Sequence, residues 1–160
     1  MGLVGDENYI DIDLSVTQKK KFRIDGDDDR ILELDTSDLS ILTRFRDAQP
    51  KLNELVSEIV DIKIKEYEDT PDGNVEAINE MGTILESIDK KMRELMDYIF
   101  DADVSRTCAP SGTMYDMFNG QYRYEHIMNT LFKLYEDNIN KEYKKLATRV
   151  RKHTDKYTKR

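Results

Sequence analysis

The feature that most constrains the fold is a run of apolar residues over positions 78–99 that steps by three and four in strict alternation. A 3/4 alternation follows the period of an α-helix, so these side chains line one helix face. The positions beside this stripe are also mostly apolar, and only Asp89 and Lys91 among them are charged. The face is therefore wider than a two-stranded coiled coil needs, and it predicts one helix of a bundle core. The stripe comprises Ile78, Met81, Leu85, Ile88, Met92, Leu95 and Ile99, flanked by Ala77, Gly82, Ile84, Met96 and Tyr98.

Three other segments also predict helices. Small oxygen-bearing side chains at 35–38 are typical of a helix start, and the apolar spacing after them predicts a helix to about Asp47. Pro50 suits the first turn of a second helix, which runs to about Tyr67 and ends at a turn-forming segment over 69–73. The last helix is predicted over 124–154. Its inner face comprises Met128, Phe132, Tyr135, Ile139, Tyr143, Leu146 and Val150.

The N-terminal part of the chain predicts strands instead. Phe22 and Ile24 alternate with polar residues, as do Leu32 and Leu34, and an Asp-Gly pair lies between the two runs. This pattern predicts a β-hairpin over about residues 20–34, which must pack on the helices or pair with another chain because an isolated hairpin is marginally stable. The fold class is therefore mostly α, a small helical bundle with an N-terminal β-hairpin. We expect a flexible N-terminal segment over 1–18, a single domain over 19–155 and a basic tail over 156–160.

Charge is unevenly distributed along the chain. The net charge is −8, but residues 141–160 hold nine Lys or Arg and two acids, a net of +7, so the other 140 residues carry −15. A strongly acidic body repels a phosphate backbone, which argues against general nucleic-acid binding. The basic end is typical of a helix C-terminus or of a contact with another protein, and these two interpretations are favoured over a nucleic-acid site.

No motif in the sequence indicates catalysis or metal binding. The aspartates from Asp25 onward match the first ligand positions of a calcium loop, but Arg30 and Thr36 stand where the required Gly and Glu should be. The acid pairs Asp11/Asp13 and Asp101/Asp103 are expected by chance in a chain with 33 acids. His126 and His153 have no second His or Cys at ligand spacing, and Cys108 has no His near it in sequence. We therefore expect no cofactor, no metal and no enzymatic activity.

Several apolar and basic residues are candidates for protein contacts. The irregular stretch over 101–123 holds more apolar groups than a solvated loop needs, although such residues often belong to the core. With the flanks of the 78–99 stripe, it predicts a partner-binding surface of Met114, Tyr115, Met117, Phe118, Ile84 and Met96. The free edges of the hairpin, and the opposite charges of the acidic body and the basic end, predict self-association. Its candidate residues are Phe22, Ile24, Arg149, Arg151 and Lys152.

Three stretches together resemble a known family. They are FRIDGDDDRILELDTSD at 22–38, then YIFDAD at 98–103 with Thr107-Cys108 and MFNG at 117–120, then YEHIM at 124–128 before a Lys-rich end with Lys156-Tyr157. Over about residues 20–158 this order resembles the small tail assembly chaperones of long-tailed phages, and derived prophages, of Gram-positive bacteria. The family pattern has Phe-Gly where this chain has Phe100-Asp101.

The resemblance implies a binding protein without catalytic residues. Such chaperones bind the long, apolar tape-measure protein and keep it soluble while the tail tube grows, and many are also made in a longer, frameshifted form. The chain would then act in the host bacterial cytoplasm, and it has no apolar run long enough to cross a membrane. Two alternatives remain open at this point. One is a helical structural or adaptor component of the virion, and the other is a nucleic-acid-binding regulator acting through residues 141–160.

Overall fold

The computed structural model describes residues 8–15, 18–68 and 75–158, with side chains described for all of these except 63–68 and 153–158. Within these residues the chain is mostly helical, with two small antiparallel sheets. The predicted mostly α fold with an N-terminal hairpin is confirmed. The elements are β1 (Lys19–Arg23), β2 (Ile31–Asp35), α1 (Ser40–Glu68), α2 (Val75–Phe100), α3 (Val104–Cys108), β3 (Met117–Phe118), β4 (Gln121–Tyr122) and α4 (Arg123–Thr158).

The β1–β2 hairpin packs one face on the helices, as its alternation predicts. Phe22 pairs with Leu32 and Lys20 with Leu34, so these four side chains share a face. Leu32 and Leu34 are 2% and 1% exposed. The intervening residues of both strands face solvent, where Lys21 Nζ lies 3.9 Å from Glu33 Oε1. The hairpin therefore contributes a thin apolar layer to the core.

The prediction of two helices, one ending at about Asp47 and the next beginning at Pro50, was wrong. The structure has one helix over Ser40–Glu68, with Pro50 inside it and exposed. Ile41, Ala48 and Ile59 are buried before and after the proline. A proline on the solvent side removes one backbone hydrogen bond, whereas a break would remove one half of this continuous apolar face from the core. Burial on both sides therefore outweighs the missing bond. The predicted turn over 69–73 lies outside the described residues.

α1 and α2 form an antiparallel pair, and the first half of α4 packs against it. Arg44, near the start of α1, donates from Nε to the carbonyl of Ile99, near the end of α2, at 2.8 Å. The rings of Phe45 and Phe100 both contact Phe132 of α4, at centroid distances of 5.3 and 5.4 Å. The three helices thus meet around one aromatic cluster, and the predicted helix over 124–154 is confirmed as α4.

Burial stops well before the outer ends of these helices. Among the described side chains, the last buried residue of α1 is Ile59, the first of α2 is Ile88 and the last of α4 is Tyr135. The outer half of the α1–α2 pair and the second half of α4 therefore extend beyond the core. Both extensions keep apolar residues at helical spacing.

The stretch over 101–123, predicted as irregular, contains ordered elements. α3 is a single short helix turn, and β3 and β4 pair as a second hairpin. The turn between them is Asn119-Gly120, and both residues have positive φ, 51° and 74°. Positive φ at both turn residues is the geometry of the two-residue hairpin turn whose twist matches that of the strands. This miniature hairpin leads directly into α4.

Candidate interaction surfaces

Arg93 ties the 101–123 segment to α2. Its Nε donates to Asp89 Oδ2 at 2.9 Å, and its other nitrogens donate to three carbonyls of the segment. Asp89 also accepts the backbone N–H of Met114 at 2.7 Å. The Arg93–Asp89 ion pair, whose residues lie on successive turns of α2, therefore makes four hydrogen bonds with the 101–123 segment. The three carbonyls are those of Ser105 at 3.1 Å, Ala109 at 2.8 Å and Gly112 at 2.9 Å.

Two further arginines complete this attachment. Arg30 of the first hairpin loop donates to the carbonyls of Thr107 and Cys108, both at 2.8 Å. Arg123, the first residue of α4, donates to the carbonyl of Thr113 at 3.1 Å and lies 3.4 Å from Asp116 Oδ2. A planar guanidinium with several donors suits a loop whose carbonyls point in different directions. The segment is therefore a fixed part of the body.

The predicted partner-binding residues divide into buried and exposed sets. Met96 and Met114 are both 0% exposed and belong to the core, so assigning them to a contact surface was wrong. Tyr115 and Phe118 are half-buried. The Tyr115 hydroxyl donates to the carbonyl of Leu85 at 3.1 Å, and the Phe118 ring packs edge-on against His126 at 5.2 Å. Met117 and Ile84 are accessible, with exposures of 62% and 45%.

The accessible Ile84 belongs to a wider apolar surface at the outer end of the α1–α2 pair. We call this the α1–α2 tip and define it as the apolar residues Val60, Val75, Ile78, Met81, Ile84 and Leu85. Met81 and Leu85, on the centre of the α2 face, are half-buried, because α1 covers only that centre. The positions around them stay in solvent. These are Val60 at 42%, Val75 at 63%, Ile78 at 56% and Ile84 at 45% exposure.

The predicted self-association residues also divide. Phe22 and Ile24 are half-buried and pack against the core, which limits the area that their side chains can offer to another chain. Arg149, Arg151 and Lys152 are exposed on the second half of α4. Near the middle of α4, an apolar cavity of about 200 Å³ opens between this helix and the residues that precede α1. We call it the α4 groove, and its lining comprises Ser37, Leu39, Asn138, Ile139, Glu142, Tyr143 and Leu146.

Cys108 and His126 line one cavity of about 290 Å³, although 18 positions separate them in sequence. Sequence spacing alone does not indicate that the two residues share a cavity. Burial raises the pKa of the Cys108 thiol to about 11, so the thiolate needed for nucleophilic chemistry is disfavoured. His126 Nδ1 lies 3.4 Å from Gln121 Nε2. The cavity thus contains a cysteine and a histidine, the residue types of a nucleophile and a general base, but the buried thiol is not activated.

The aspartate loop between β1 and β2 forms internal contacts. Asp25 Oδ2 lies 3.1 Å from Arg30 Nη1, and Asp28 Oδ1 lies 2.8 Å from Arg23 Nη1. Within the part of the chain that the structure describes, no cluster of three His, Cys, Asp or Glu side chains is arranged to hold a metal ion. The His153 side chain lies outside the described residues. Among the helices that the structure describes, none is both long and apolar enough to span a bilayer.

The chain matches no protein-family model, no curated protein and no solved structure. The fold and the surfaces therefore define only a general class. The chain is a helical protein whose 101–123 segment is held to the core by arginine hydrogen bonds and whose helices extend beyond the core at two places with exposed apolar residues.

Proposed function

We propose that this protein is a phage tail assembly chaperone that binds the tape-measure protein and keeps it soluble during tail tube assembly. The observation that carries the proposal is the α1–α2 tip, where Val60, Val75, Ile78 and Ile84 are exposed on a pair of helices. Two helices cannot cover an apolar face as wide as that of α2, and a third helix laid along the tip would complete a small bundle. An apolar helical segment of a tape-measure protein has the chemistry to be that third helix.

Backbone geometry at residue 101 also supports the family resemblance. Asp101 has a positive φ of 49°, in the left-handed region that glycine adopts without strain. The family pattern has glycine at this position. The sharp turn after α2 is therefore compatible with the family pattern despite the different residue.

The test is co-expression with the tape-measure protein of the same phage or prophage. We expect the partner to stay in the soluble fraction and to co-purify with the wild-type chain. The double variant Ile78→Asp/Ile84→Asp should lose at least about tenfold in captured partner, since two buried apolar contacts account for that much affinity. Equal solubility of the partner with and without this protein would refute the proposal.

The control is Thr83→Asp/Ser87→Asp, which adds the same two charges to the same helix. Thr83 and Ser87 are exposed and polar, so the control should capture the partner as the wild type does. Both double variants should keep the wild-type circular dichroism spectrum, because exposed positions contribute little to stability. A tip variant that unfolds is replaced by Ile84→Ser, which keeps the helix without the apolar contact.

The second candidate is a nucleic-acid-binding protein, favoured by the exposed Arg149, Arg151 and Lys152 on α4. It predicts binding of labelled DNA or RNA that falls steeply between about 50 and 200 mM salt. Replacing these three residues with alanine would then abolish the binding. The chaperone proposal predicts that this triple variant still captures the tape-measure protein.

A further inference from the structure

The second half of α4, which we define as residues 141–152, carries an apolar stripe in contact with solvent. Tyr143, Leu146 and Val150 are 68%, 45% and 55% exposed, and they follow one another at spacings of three and four. This spacing places them on one helix face, in line with Tyr135, which is buried in the body. The face that packs in the body therefore continues beyond it. An exposed apolar stripe at helical spacing is typical of a surface that binds another helix.

α4 runs along α2 in the direction that leads away from the α1–α2 tip. At the start of α4, Met114 donates its backbone N–H to Asp89 Oδ1 at 2.7 Å, and its carbonyl accepts the N–H of Tyr124 at 2.9 Å. Further along α4, the ring of Phe132 lies 5.4 Å from that of Phe100, the last residue of α2. The second half of α4 and the tip therefore lie at opposite ends of the molecule.

The distance between these two ends exceeds the reach of one copy's own α4. With a rise of 1.5 Å per residue, Leu146 lies about 21 Å beyond Phe132 along α4. Ile84 lies about 24 Å before Phe100 along α2, in the opposite direction. α1 gives the same order, because Leu39, just before α1 begins, lines the α4 groove with Leu146, whereas the tip belongs to the other half of α1. A continuous α4 therefore cannot cover the tip of its own chain.

The two ends also carry opposite charge. Residues 54–87 contain ten Asp or Glu and two Lys, a net of −8, whereas residues 141–160 carry a net of +7. Two tips would repel each other, and so would two basic ends, whereas a tip attracts a basic end. Charge therefore favours the unlike pairing over both symmetric ones. In the described part of 54–87, the exposed acids are Glu54, Glu58, Asp61, Glu76, Glu80 and Glu86.

We propose that the second half of α4 of one copy lies along the α1–α2 tip of a second copy, as the third helix of a small bundle. The two apolar surfaces are similar in length, about 10 Å from Tyr143 to Val150 and about 15 Å from Val75 to Leu85. The contact is head to tail, so each copy added keeps one tip and one α4 end available. Such a contact propagates into a chain or closes into a ring.

This contact depends only on the exposure and the charge of this chain, and it forms whether or not a tape-measure protein binds the tip. Where both are present, the second copy and the tape-measure helix compete for the same apolar surface. Self-association is measured on the purified chain alone. Its absence would therefore refute the head-to-tail contact and leave the result of the co-expression experiment unaffected.

The first test is sedimentation velocity of the 160-residue chain over a concentration series. We expect species larger than a dimer at about 0.1 M salt, and weaker association at about 1 M, where the Debye length falls from about 10 to about 3 Å. Leu146→Asp should raise the dissociation constant at least about tenfold, since it removes one buried leucine. Thr148→Asp is the matched control, because it adds the same charge on the opposite side of the helix, and it should weaken association much less.

The second test is complementation between two defective variants. Leu146→Asp keeps an intact tip, and Ile78→Asp/Ile84→Asp keeps an intact α4. Each variant alone should be monomeric, and their mixture should form a 1:1 dimer that does not grow, because the two remaining surfaces are defective. The control Thr83→Asp/Ser87→Asp adds acidic charge to the tip helix without removing an apolar contact, so it should associate at least as strongly as the wild type.

Several results would overturn the proposal. These are a wild type that stays monomeric throughout the series, an association that salt leaves unchanged, and equal association of Leu146→Asp and Thr148→Asp. A defective variant that still dimerises alone would show a symmetric contact instead. If either variant loses the helical circular dichroism signal, Tyr143→Ser and Ile84→Ser replace the two in the mixture. A mixture of folded variants that stays monomeric refutes the head-to-tail contact.

Discussion

Replacing Arg93 with methionine tests whether one guanidinium holds the 101–123 segment in place. Methionine has a similar length and no donors, so the change removes the ion pair with Asp89 and three hydrogen bonds to carbonyls. The Arg93 and Asp89 side chains are 15% and 19% exposed, so solvent screens them only weakly. The variant leaves a largely buried carboxylate and several carbonyls without these partners.

The loss of stability expected for Arg93→Met depends on which of the Arg93 acceptors still accept a hydrogen bond from another donor. The Ser105 carbonyl still accepts the backbone N–H of Ala109 at 3.0 Å, and Asp89 still accepts that of Met114. Ala109 is 1% exposed, so its carbonyl loses the Arg93 donor where water has little access. Breaking one partner of a buried ion pair costs about 3–5 kcal/mol, and we expect Arg93→Met to fall near the lower end because Asp89 keeps a partner.

The assay is urea unfolding followed by circular dichroism. With a slope of about 2 kcal/mol per molar urea, a loss of 3–4 kcal/mol moves the midpoint by about 1.5–2 M. Arg93→Lys keeps the charge but cannot reach all four acceptors, so it should lose about half as much. Arg46→Met is the control and should change stability by less than about 0.5 kcal/mol, because the Arg46 side chain is 73% exposed.

A double-mutant cycle then isolates the ion pair. Arg93→Met and Asp89→Asn should be non-additive, with a coupling of about 1–3 kcal/mol, because they remove the same contact. The free energy of unfolding of Arg93→Met could stay within about 1 kcal/mol of the wild type, or the two substitutions could be additive. Either result would show that apolar residues hold the 101–123 segment and that Arg93 does not.

Three further predictions test individual residues. Pro50→Ala should raise the free energy of unfolding by about 1–2 kcal/mol in urea melts, because it restores a backbone donor inside α1; a loss of stability would indicate a break there. Cys108, with its pKa raised to about 11, should be alkylated at pH 8 about 100-fold more slowly than in urea-unfolded chain. The hydrogen bond from Thr113 lowers the pKa of Asp116 below its ordinary 3.8, so its contribution is present above that pH and lost as pH falls through the folded value. Acid titration of Asp116→Asn should therefore show a shallower loss of stability than the wild type.

The spacing of apolar residues was enough to predict those helices and strands whose buried residues recur at a single helical or strand period. The 3/4 spacing of 78–99 predicted α2, and the alternation around Asp25-Gly26 predicted the first hairpin almost to its ends. Asn119-Gly120 is an equally strong hairpin signal, but the flanking strands are only two residues long, so the alternation that normally accompanies it is missing. The signal that would have found the second hairpin was therefore the turn pair alone.

The spacing of apolar residues did not predict which individual residues are buried. Met96 lies on the flank of the α2 stripe and is 0% exposed, whereas Ile78 lies on its centre line and is 56% exposed. The difference depends on where α4 and the 101–123 segment stop covering α2, which is a tertiary property. The same holds for Arg93, whose acceptors lie 12 to 19 residues further along the chain. Its position four residues after Asp89 indicated an ion pair but not the segment it holds.

Stability and recognition use different parts of this molecule. The arginine hydrogen bonds, the aromatic cluster around Phe132 and the buried methionines all lie in the body, whereas the α1–α2 tip, the second half of α4 and residues 9–14 carry many of the exposed apolar residues. A surface on an extension can lose an apolar contact without leaving a cavity in the core. Ile78→Asp/Ile84→Asp should therefore change binding at unchanged stability, and Arg93→Met should change stability while leaving the tip chemically intact. If tip variants destabilise the fold as much as Arg93→Met does, the tip is a structural part of the body, and the surface that binds a partner lies elsewhere.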